Sequence, residues 1–489
     1  VGAICVDAGT SVIKAVGYDR HGAEAAVARS RAEVRRPAPD RAEQDMHEVW
    51  AAVAATVREA REALGSAETV DFVAVTAQGD GAWLIDAAGE PTGPAILWND
   101  GRAAPVVDRW AAAGLPERAF RIGGNPTFPG LPHAVLTWLR EHEPSRLENA
   151  AACLTCGGWV FSRLTGRIAV DASDASAPFL DLRTRRYSPE LIAMFGMEWA
   201  APLLPEPVEH DGRVAALSAE AAAALGLAAG TPVVLAPYDI ATTAFGVGAI
   251  EPGRACGILG TTLCTETTVA EPPLDGEPVG VTLALDTGYL RAFPTLAGAD
   301  VLHWACRTLG VPGPEALAEL AARSAPGADG LTFLPYLSPA GERVPFTDPA
   351  ARGTIVGLTL NHGPEHLARA VFEGLSLVVR DCLTAIGGRT DDLRVCGGGA
   401  ANDFWAGLIA DVTGLPVHRS ADREVGARGA HFTGLVATGA HPSLAGAARA
   451  LVRLRDTFEP DPALAGVYHD KFTGFRALRA GVPPWGRNA

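Results

Sequence analysis

Ile4-Cys5-Val6-Asp7-Ala8-Gly9-Thr10-Ser11-Val12-Ile13-Lys14 is an apolar, β-branched run, a Gly-Thr turn and a second run able to pair back on the first. About half the chain later, Gly257-Ile258-Leu259-Gly260-Thr261-Thr262-Leu263-Cys264-Thr265 repeats the design. Both read as hairpins. Glycine at the turn lets backbone approach a ligand closely, and exposed N–H groups beside a hydroxyl make a small anion cradle. Two such cradles facing each other would grip one polyphosphate between two lobes, which points to ATP and to chemistry in a cleft.

The remaining sequence fits that picture. A chain of 489 residues exceeds one core and implies several domains. Hydrophobic residues make up 48% and charged residues 20%, ordinary for a globular protein. A net charge of −15 argues against nucleic acid or an anionic membrane as partner, since both need basic patches. No apolar run reaches the ~20 residues that span a bilayer. No basic, apolar leader is visible before the first strand, so the expected location is cytoplasmic. The eight cysteines lie in apolar contexts and read as reduced core thiols. Cys153-Leu-Thr-Cys156 has the spacing of half a zinc site, but no second pair accompanies it.

Along the chain, strands are expected at Val1–Val6, Val12–Tyr18, Asp71–Thr76, Ala82–Asp86, Val233–Ala236 and Leu393–Cys396. Helices are expected at Glu43–Leu64, Leu136–Glu141, Trp159–Leu164 (with Gly166 as C-cap), Thr242–Gly248, His366–Ile386 and Asn402–Thr413. A turn at Glu251-Pro-Gly precedes the second hairpin and sets a boundary near residue 246, giving domains 1–246 and 247–489. Pro483-Pro484-Trp485 reads as a loose terminus.

Several residues carry candidate chemistry. Asp7 beside a phosphate cradle makes sense only with a cation between them, and Mg²⁺ is the obvious one. Thr10 and Ser11 are placed to donate to phosphate oxygens, while Lys14 faces either the site or solvent. Asp239, after the strand in Leu235-Ala-Pro-Tyr-Asp, reads equally as a general base or as a helix N-cap. Gly397-Gly398-Gly399-Ala-Ala-Asn402 joins a strand to a helix; its glycines admit a flat ring and Asn402 offers an amide to a base edge, or the stretch is a plain loop. It lacks the spacing of a dinucleotide fingerprint. Gln78-Gly79-Asp80-Gly81 ends a strand and is either a ligand-facing edge or a turn. Trp98-Asn-Asp-Gly-Arg102 suits a polyhydroxylated ligand, or forms a buried polar cluster.

Together these segments resemble the FGGY carbohydrate kinases. The longest match is Leu334-Pro-Tyr-Leu-Ser-Pro-Ala-Gly-Glu342-Arg343-Val-Pro345-Phe-Thr-Asp348, continuing through Arg352-Gly353 and Gly357 to Glu373-Gly374. Others are Ala95-Ile-Leu-Trp98, Asp171-Ala-Ser-Asp174-Ala-Ser176 and Gly397-Gly-Gly-Ala-Ala-Asn402. The resemblance implies an α/β fold of two ribonuclease H-like (actin/hexokinase-type) domains flanking an active-site cleft. It implies ATP as cofactor with Mg²⁺. It places Asp7, Gly9 and Thr10 in the first phosphate motif, with Asp7 on the metal side, and Gly260 and Thr261, beside Thr262, in the second. Asp239 falls at the catalytic base, and Gly398, Gly399 and Asn402 at the adenosine motif. Gly79 and Asp80 fall at the pair that contacts the sugar, near Gln78 and Trp98.

Pentulose kinases of that family typically have Met-His at this pair and glycerol kinases Arg-Glu; here it is Gly-Asp. Asp80 keeps a carboxylate able to accept from hydroxyls, and Gly79 is expected to leave room for a longer substrate. The opening Asp-Ala-Gly-Thr-Ser-Val-Ile-Lys and Ala42-Glu-Gln-Asp-Met46 look most like the erythritol kinases of the family. The expected partner is therefore a small polyol or sugar, with a homodimer as a possible assembly. A pentulose kinase is the alternative within the family. An actin/Hsp70-like ATP-driven conformational protein shares the hairpins, but Asp239 and the Gly-Glu-Arg-x-Pro stretch favour the kinase. A catalytically silent sugar sensor fits poorly, because the phosphate motifs all look intact.

Overall fold

Ala3–Ala8 forms strand β1, and every member except Asp7 is buried. A strand buried along nearly its whole length needs neighbours on both sides and cover on both faces. β2 (Val12–Tyr18) returns antiparallel to it, pairing Asp7 with Lys14, and β3 (Glu24–Arg31) continues the meander. On the other side of β1 lies β4 (Phe72–Ala77), which is parallel to it. Beyond β4 come β5 (Val214–Ala216) and β6 (Pro232–Leu235), the latter parallel to β4, for a sheet order of β5-β6-β4-β1-β2-β3.

The second sheet repeats the wiring. β7 (Arg254–Leu259) and β8 (Leu263–Val269) form its hairpin, followed by β9 (Val281–Ala284) and β10 (Tyr289–Pro294). β11 (Asp392–Cys396), β12 (Val417–Ser420) and β13 (Leu454–Phe458) complete the order β9-β10-β8-β7-β11-β12-β13. In each sheet an antiparallel run, β1-β2-β3 in the first and β7-β8-β10-β9 in the second, is joined by two parallel strands added beyond its first strand. This is the duplicated, ribonuclease H-like arrangement that the family resemblance implies. The structure, a computed structural model, describes residues 2–65 and 68–481. Val1 and the expected loose terminus at Pro483–Trp485 lie outside the described residues. Among the described residues no helix is long and apolar enough to cross a membrane, and all eight cysteines are buried and free.

Parallel neighbours require crossovers, and helices supply them. The helices used below are α1 (Met46–Leu64), α2 (Cys156–Thr165), α3 (Asp239–Val247), α4 (Pro364–Ile386), α5 (Asp403–Thr413) and α6 (Val425–Ala437). α1 links β3 to β4 and buries Met46, Val49, Val53 and Val57 on one face. It starts later than the periodicity suggested. Glu43 and Gln44 pair instead with Ala95 and Ile96, and the Asp45 carboxylate caps the helix by accepting from the N–H groups of His47 and Glu48. Gly166 ends α2 in the left-handed conformation, as expected of a C-cap.

α3 and α6 exchange places between the lobes. α3 follows β6 of the first sheet, yet packs Ala244, Phe245 and Val247 against Cys256, Leu283 and Cys396 of the second. α6 follows β12 of the second sheet, yet packs Ala427, Ala430 and Leu435 against Ala3, Cys5 and Phe72 of the first. The two helices cross at glycines. A Cβ on Gly246 would overlap the Val425 carbonyl, and one on Gly429 would overlap the Thr242 carbonyl. A second tie lies lower down. There Asn125 donates to the Thr282 carbonyl at 2.9 Å and accepts from the Thr282 N–H at 2.8 Å, while the Ala284 N–H donates to Ser176 Oγ.

Gly429→Ala should therefore cost about 1–3 kcal/mol of stability, as overpacking a tight crossing does. Gly474→Ala, in the Ala465–Gly481 helix with open space where the methyl would go, should be neutral or slightly stabilising. Denaturant unfolding of both variants checks this; equal effects would remove the crossing from its structural role.

Candidate active site

In an open sheet with parallel strands, ligands collect beyond the strands' carboxyl ends. Here β1 leads into Gly9–Ser11, β4 into Gln78–Asp80 and β6 into Tyr238–Asp239. Because β1, β4 and β6 run parallel, these three segments emerge at one edge. On the other lobe β7 leads into Gly260–Thr262 and β11 into Gly397–Gly399, again at one edge. The chain thus gathers, at one strand edge in each lobe, residues that its sequence scatters from Gly9 to Gly399.

Asp7 sits at the open end of β1. Lys14, its cross-strand partner, holds its ammonium 3.6 Å from the Asp7 carboxylate and 3.0 Å from Glu424, which also accepts from Arg29 at 2.5 Å. Lys14 therefore faces the site and not solvent, but it is committed to two carboxylates. Burial lowers the proton affinity of its amine, yet Asp7 and Glu424 outweigh that and leave its pKa above the ordinary value. Thr10 is also committed. Its hydroxyl donates to Gln78 Oε1 at 2.8 Å and accepts from Trp98 Nε1 at 3.0 Å. Gln78 donates to Gln44 Oε1, and Gln44 donates to the Thr10 carbonyl, closing a ring. Ser11 is exposed at the tip of the turn, as are Thr261 and Thr262 on the opposite one.

The expected room above Gly79 is not there. A Cβ at Gly79 would overlap the Tyr238 ring, and the Tyr238 hydroxyl donates to Asp80 Oδ2 at 3.2 Å. The glycine accommodates a ring, so the pair to read is Gly79 with Tyr238. Asp80 itself adopts a positive φ of 54°, unusual for a side-chain-bearing residue, which sets it at the end of the strand edge. Burial pushes its carboxyl up to about 6, against the pull of Tyr238 and Arg343.

Asp239 is the first residue of α3, while Tyr238 stands at the N-cap position without capping through its side chain. Burial, and next the charge of Asp7, push the Asp239 carboxyl well above the usual range. Behind it the Tyr238 N–H donates to Ser173 Oγ at 2.9 Å, Ser173 donates to Asp171 at 2.5 Å, and Asp171 pairs with Arg213 at 3.1 Å. This buried chain fixes the peptide that leads into Asp239.

Gly260, Thr261, Gly398, Gly399 and Asn402 line one cavity of about 490 Å³ in the second lobe, with His303 and Trp405. That volume is in the range of small-ligand pockets. Nothing lies within 4 Å of the position a Cβ would take on Gly398, so its face is open. Asn402 also caps α5: its Oδ1 accepts from the Trp405 N–H at 2.9 Å. The Trp98–Arg102 stretch divides. Trp98 joins the Thr10 ring, whereas Arg102 and Asp100 form a buried pair at 2.8 Å that also ties Glu43 and the Ala42 N–H.

Burial raises the Asp7 and Asp239 carboxyls, and Asp7 heads the charges that raise Asp239; among the described residues no group of three or more His, Cys, Asp or Glu side chains is gathered to hold a metal ion. Sequence reasoning missed Gln44, Tyr238, His303 and Glu424. Gln44 and Tyr238 both lie inside stretches already singled out, but nothing in their spacing tells that they close on Thr10 and Gly79.

A raised carboxyl in the folded state is a stability liability once it ionises. The contribution from Asp80 is fully favourable below its unfolded value near 3.8 and is lost as pH rises through about 6. Asp80→Asn should therefore melt a few degrees above wild type at pH 7.5, and the difference should shrink toward zero by pH 4. A pH-independent difference in melting temperature would contradict the buried-carboxylate assignment.

Residues 3–246 match the N-terminal domain of the FGGY family of carbohydrate kinases, and residues 255–438 match its C-terminal domain. The chain is 35% identical to erythritol kinase of Brucella abortus over 98% of this chain and 96% of that protein. It is 31% identical to xylulose kinase of Escherichia coli, over 97% and 98% respectively. The crystal structure of xylulose kinase from Rhodospirillum rubrum superimposes with a TM-score of 0.90 at 29% identity, covering 98% of each chain. With both domains of the family matched and the fold duplicated, this chain belongs to the FGGY family of carbohydrate kinases.

Proposed function

We propose that the protein transfers the γ-phosphoryl group of ATP to a terminal hydroxyl of a small polyol, with erythritol as the preferred acceptor. The observation that carries the reading is the position of Asp239, at the carboxyl edge of the first sheet, within the field of Asp7 and Asp80 and of Glu266 on the second sheet. In this reading Asp239 accepts the proton of the acceptor hydroxyl as its oxygen attacks the γ-phosphorus. The bond to the bridging oxygen breaks, and ADP leaves on the opposite side. Phosphoryl transfer asks the protein chiefly for positioning and charge stabilisation. The exposed turns Gly9–Ser11 and Gly260–Thr262 offer N–H and hydroxyl donors to phosphate oxygens, and Gly398, Gly399 and Asn402 cradle the adenosine. Mg²⁺ would be held on the Asp7 side and would supply positive charge to the phosphate oxygens.

Polyol hydroxyls suit the carboxylates of this site, since each can donate, whereas a ketose carbonyl can only accept. Trp98 is spent on Thr10, Gln78 on Gln44 and Tyr238 on Asp80, while Arg343, whose charge also reaches Asp80, donates through Nε to the Pro294 carbonyl. The likeness to an erythritol kinase supports the same choice, while that to xylulose kinases keeps pentuloses as the second acceptor class. A coupled ADP-release assay over C3–C6 polyols and ketoses decides it. Turnover with erythritol and not with pentuloses is expected, and the reverse would overturn the acceptor while leaving the kinase.

Asp239→Asn should lower kcat by about 10²–10⁴-fold with ATP binding unchanged; activity within tenfold of wild type would remove Asp239 as base. EDTA should abolish turnover and Mg²⁺ restore it, read in the same assay. Gly79→Ala should raise KM for the polyol about tenfold by displacing the Tyr238 ring, with little effect on KM for ATP. An unchanged polyol KM would place that ring outside the acceptor pocket.

A further inference from the structure

Gly341-Glu342-Arg343-Val344-Pro345, inside the longest match to the family, has no part in the reaction proposed above. The fold docks it beside the second Gly-Thr turn. Glu342 is buried, and its Oε1 accepts from the Leu296 N–H at 2.8 Å and from the Arg343 N–H at 2.9 Å. The Arg343 side chain then donates through Nε to the Pro294 carbonyl at 2.8 Å. Pro294 ends β10 and stands opposite Cys264 of β8. The segment that follows wraps the turn. The Leu263 N–H donates to the Ala297 carbonyl, the Ala299 N–H donates to the Gly260 carbonyl at 2.9 Å, and a Cβ on Gly298 would overlap the Thr261 carbonyl. Arg343 is therefore fixed to the same segment that holds Gly260–Thr262.

The head of this side chain is uncommitted. Among the described residues neither terminal nitrogen of Arg343 has a hydrogen-bond or ion-pair partner, and both are accessible to solvent. Lys14 and Arg213, by contrast, are each held by two carboxylates. The Nε bond orients the guanidinium plane, and the two outer nitrogens form a fork that matches two oxygens of a phosphoryl group. The charge of Arg343 also reaches Asp80 on the first lobe, consistent with a head that looks across the cleft. Phosphoryl transfer spreads negative charge over the equatorial oxygens of the moving group, and a preorganised cation beside them is worth most there.

We propose that Arg343 is a further catalytic residue, whose two terminal nitrogens grip oxygens of the phosphoryl group being transferred. The inference rests on the kinase reading of the cleft and not on the identity of the acceptor. With the Gly-Thr turns holding the triphosphate, the guanidinium meets its terminal phosphate from the second lobe. It forms no covalent bond and moves no proton. It supplies fixed positive charge while the γ-phosphorus passes from the bridging oxygen to the acceptor oxygen. ADP lacks that phosphate, so the contact is made with ATP and lost with ADP.

The test separates the two nucleotides. Affinities for ADP and for the non-hydrolysable AMP-PNP, each with Mg²⁺, are measured by calorimetry for wild type, Arg343→Lys and Arg343→Ala, with melting temperature in parallel. Expected in Arg343→Ala are an AMP-PNP affinity lower by about tenfold or more, an unchanged ADP affinity and a kcat lower by about 10²–10³-fold. Arg343→Lys keeps the charge without the fork and should fall between. Added guanidinium ion should restore part of the turnover of Arg343→Ala and should not raise that of wild type. Where either substitution unfolds the protein, wild type carries the test: AMP-PNP should shield Arg343 from phenylglyoxal, read by mass spectrometry, and ADP should not. The proposal falls if both affinities drop by the same factor, if kcat stays within about tenfold, or if Arg343 is labelled equally with either nucleotide. The binding and labelling arms need no acceptor. A protein that phosphorylates no polyol would thus sink the acceptor reading and leave Arg343 to be judged on nucleotide binding, and one that binds neither nucleotide would sink the kinase reading itself.

Discussion

The backbone-to-backbone crossing of α3 and α6 is the constraint on which the cleft depends. Gly246 and Gly429 let the two helices touch without side chains between them, and each helix rests on the sheet of the other half. Asp239 opens one of these helices and Glu424 directly precedes the other. The crossing therefore carries the proposed base and the anchor of Lys14 on the same rigid piece. Gly426, in the first turn of α6, comes so near that a Cβ there would stand 3.0 Å from the Asp7 carboxylate.

Electrostatics explains why the site is built from so many acids. Asp7, Asp80 and Asp239 each have a pKa raised chiefly by burial, and the charges of neighbouring acids raise Asp7 and Asp239 further. Without ligands such a cluster destabilises the fold, because each ionised group lacks a matching cation or donor. In the proposed reaction, metal, nucleotide and acceptor hydroxyls would supply those partners. The committed pairs around it, Lys14 with Asp7 and Glu424 and Arg213 with Asp171, keep the cluster from being worse. Stability and function are thus opposed at these positions.

Much of this was legible in the chain itself. Both hairpins, the boundaries of α4 to within two residues and the positions of Asp7, Asp239 and Gly398 at strand ends follow from β-branched runs broken by glycine. Elements with a clear period were read well because burial imposes that period. The start of α1 was read three residues early, because Glu43-Gln44 carries no signal against a helix until Ala95–Ile96 pairs with it. The space above Gly79 was misread for the same reason. A glycine announces room, but which ring fills it depends on Tyr238, 159 positions later.

Local sequence determined that there would be two hairpins turning at Gly-Thr, helices of given length and acids placed at strand ends, since turn chemistry and hydrophobic period act over a few residues. Tertiary structure decided which helix covers which sheet, that Thr10 and Trp98 would be spent on each other, and that the terminal nitrogens of Arg343 would be left without a partner among the described residues. Those outcomes depend on surfaces meeting across hundreds of residues, where close packing admits one arrangement and hydrogen bonds go to whichever partner that packing brings within reach.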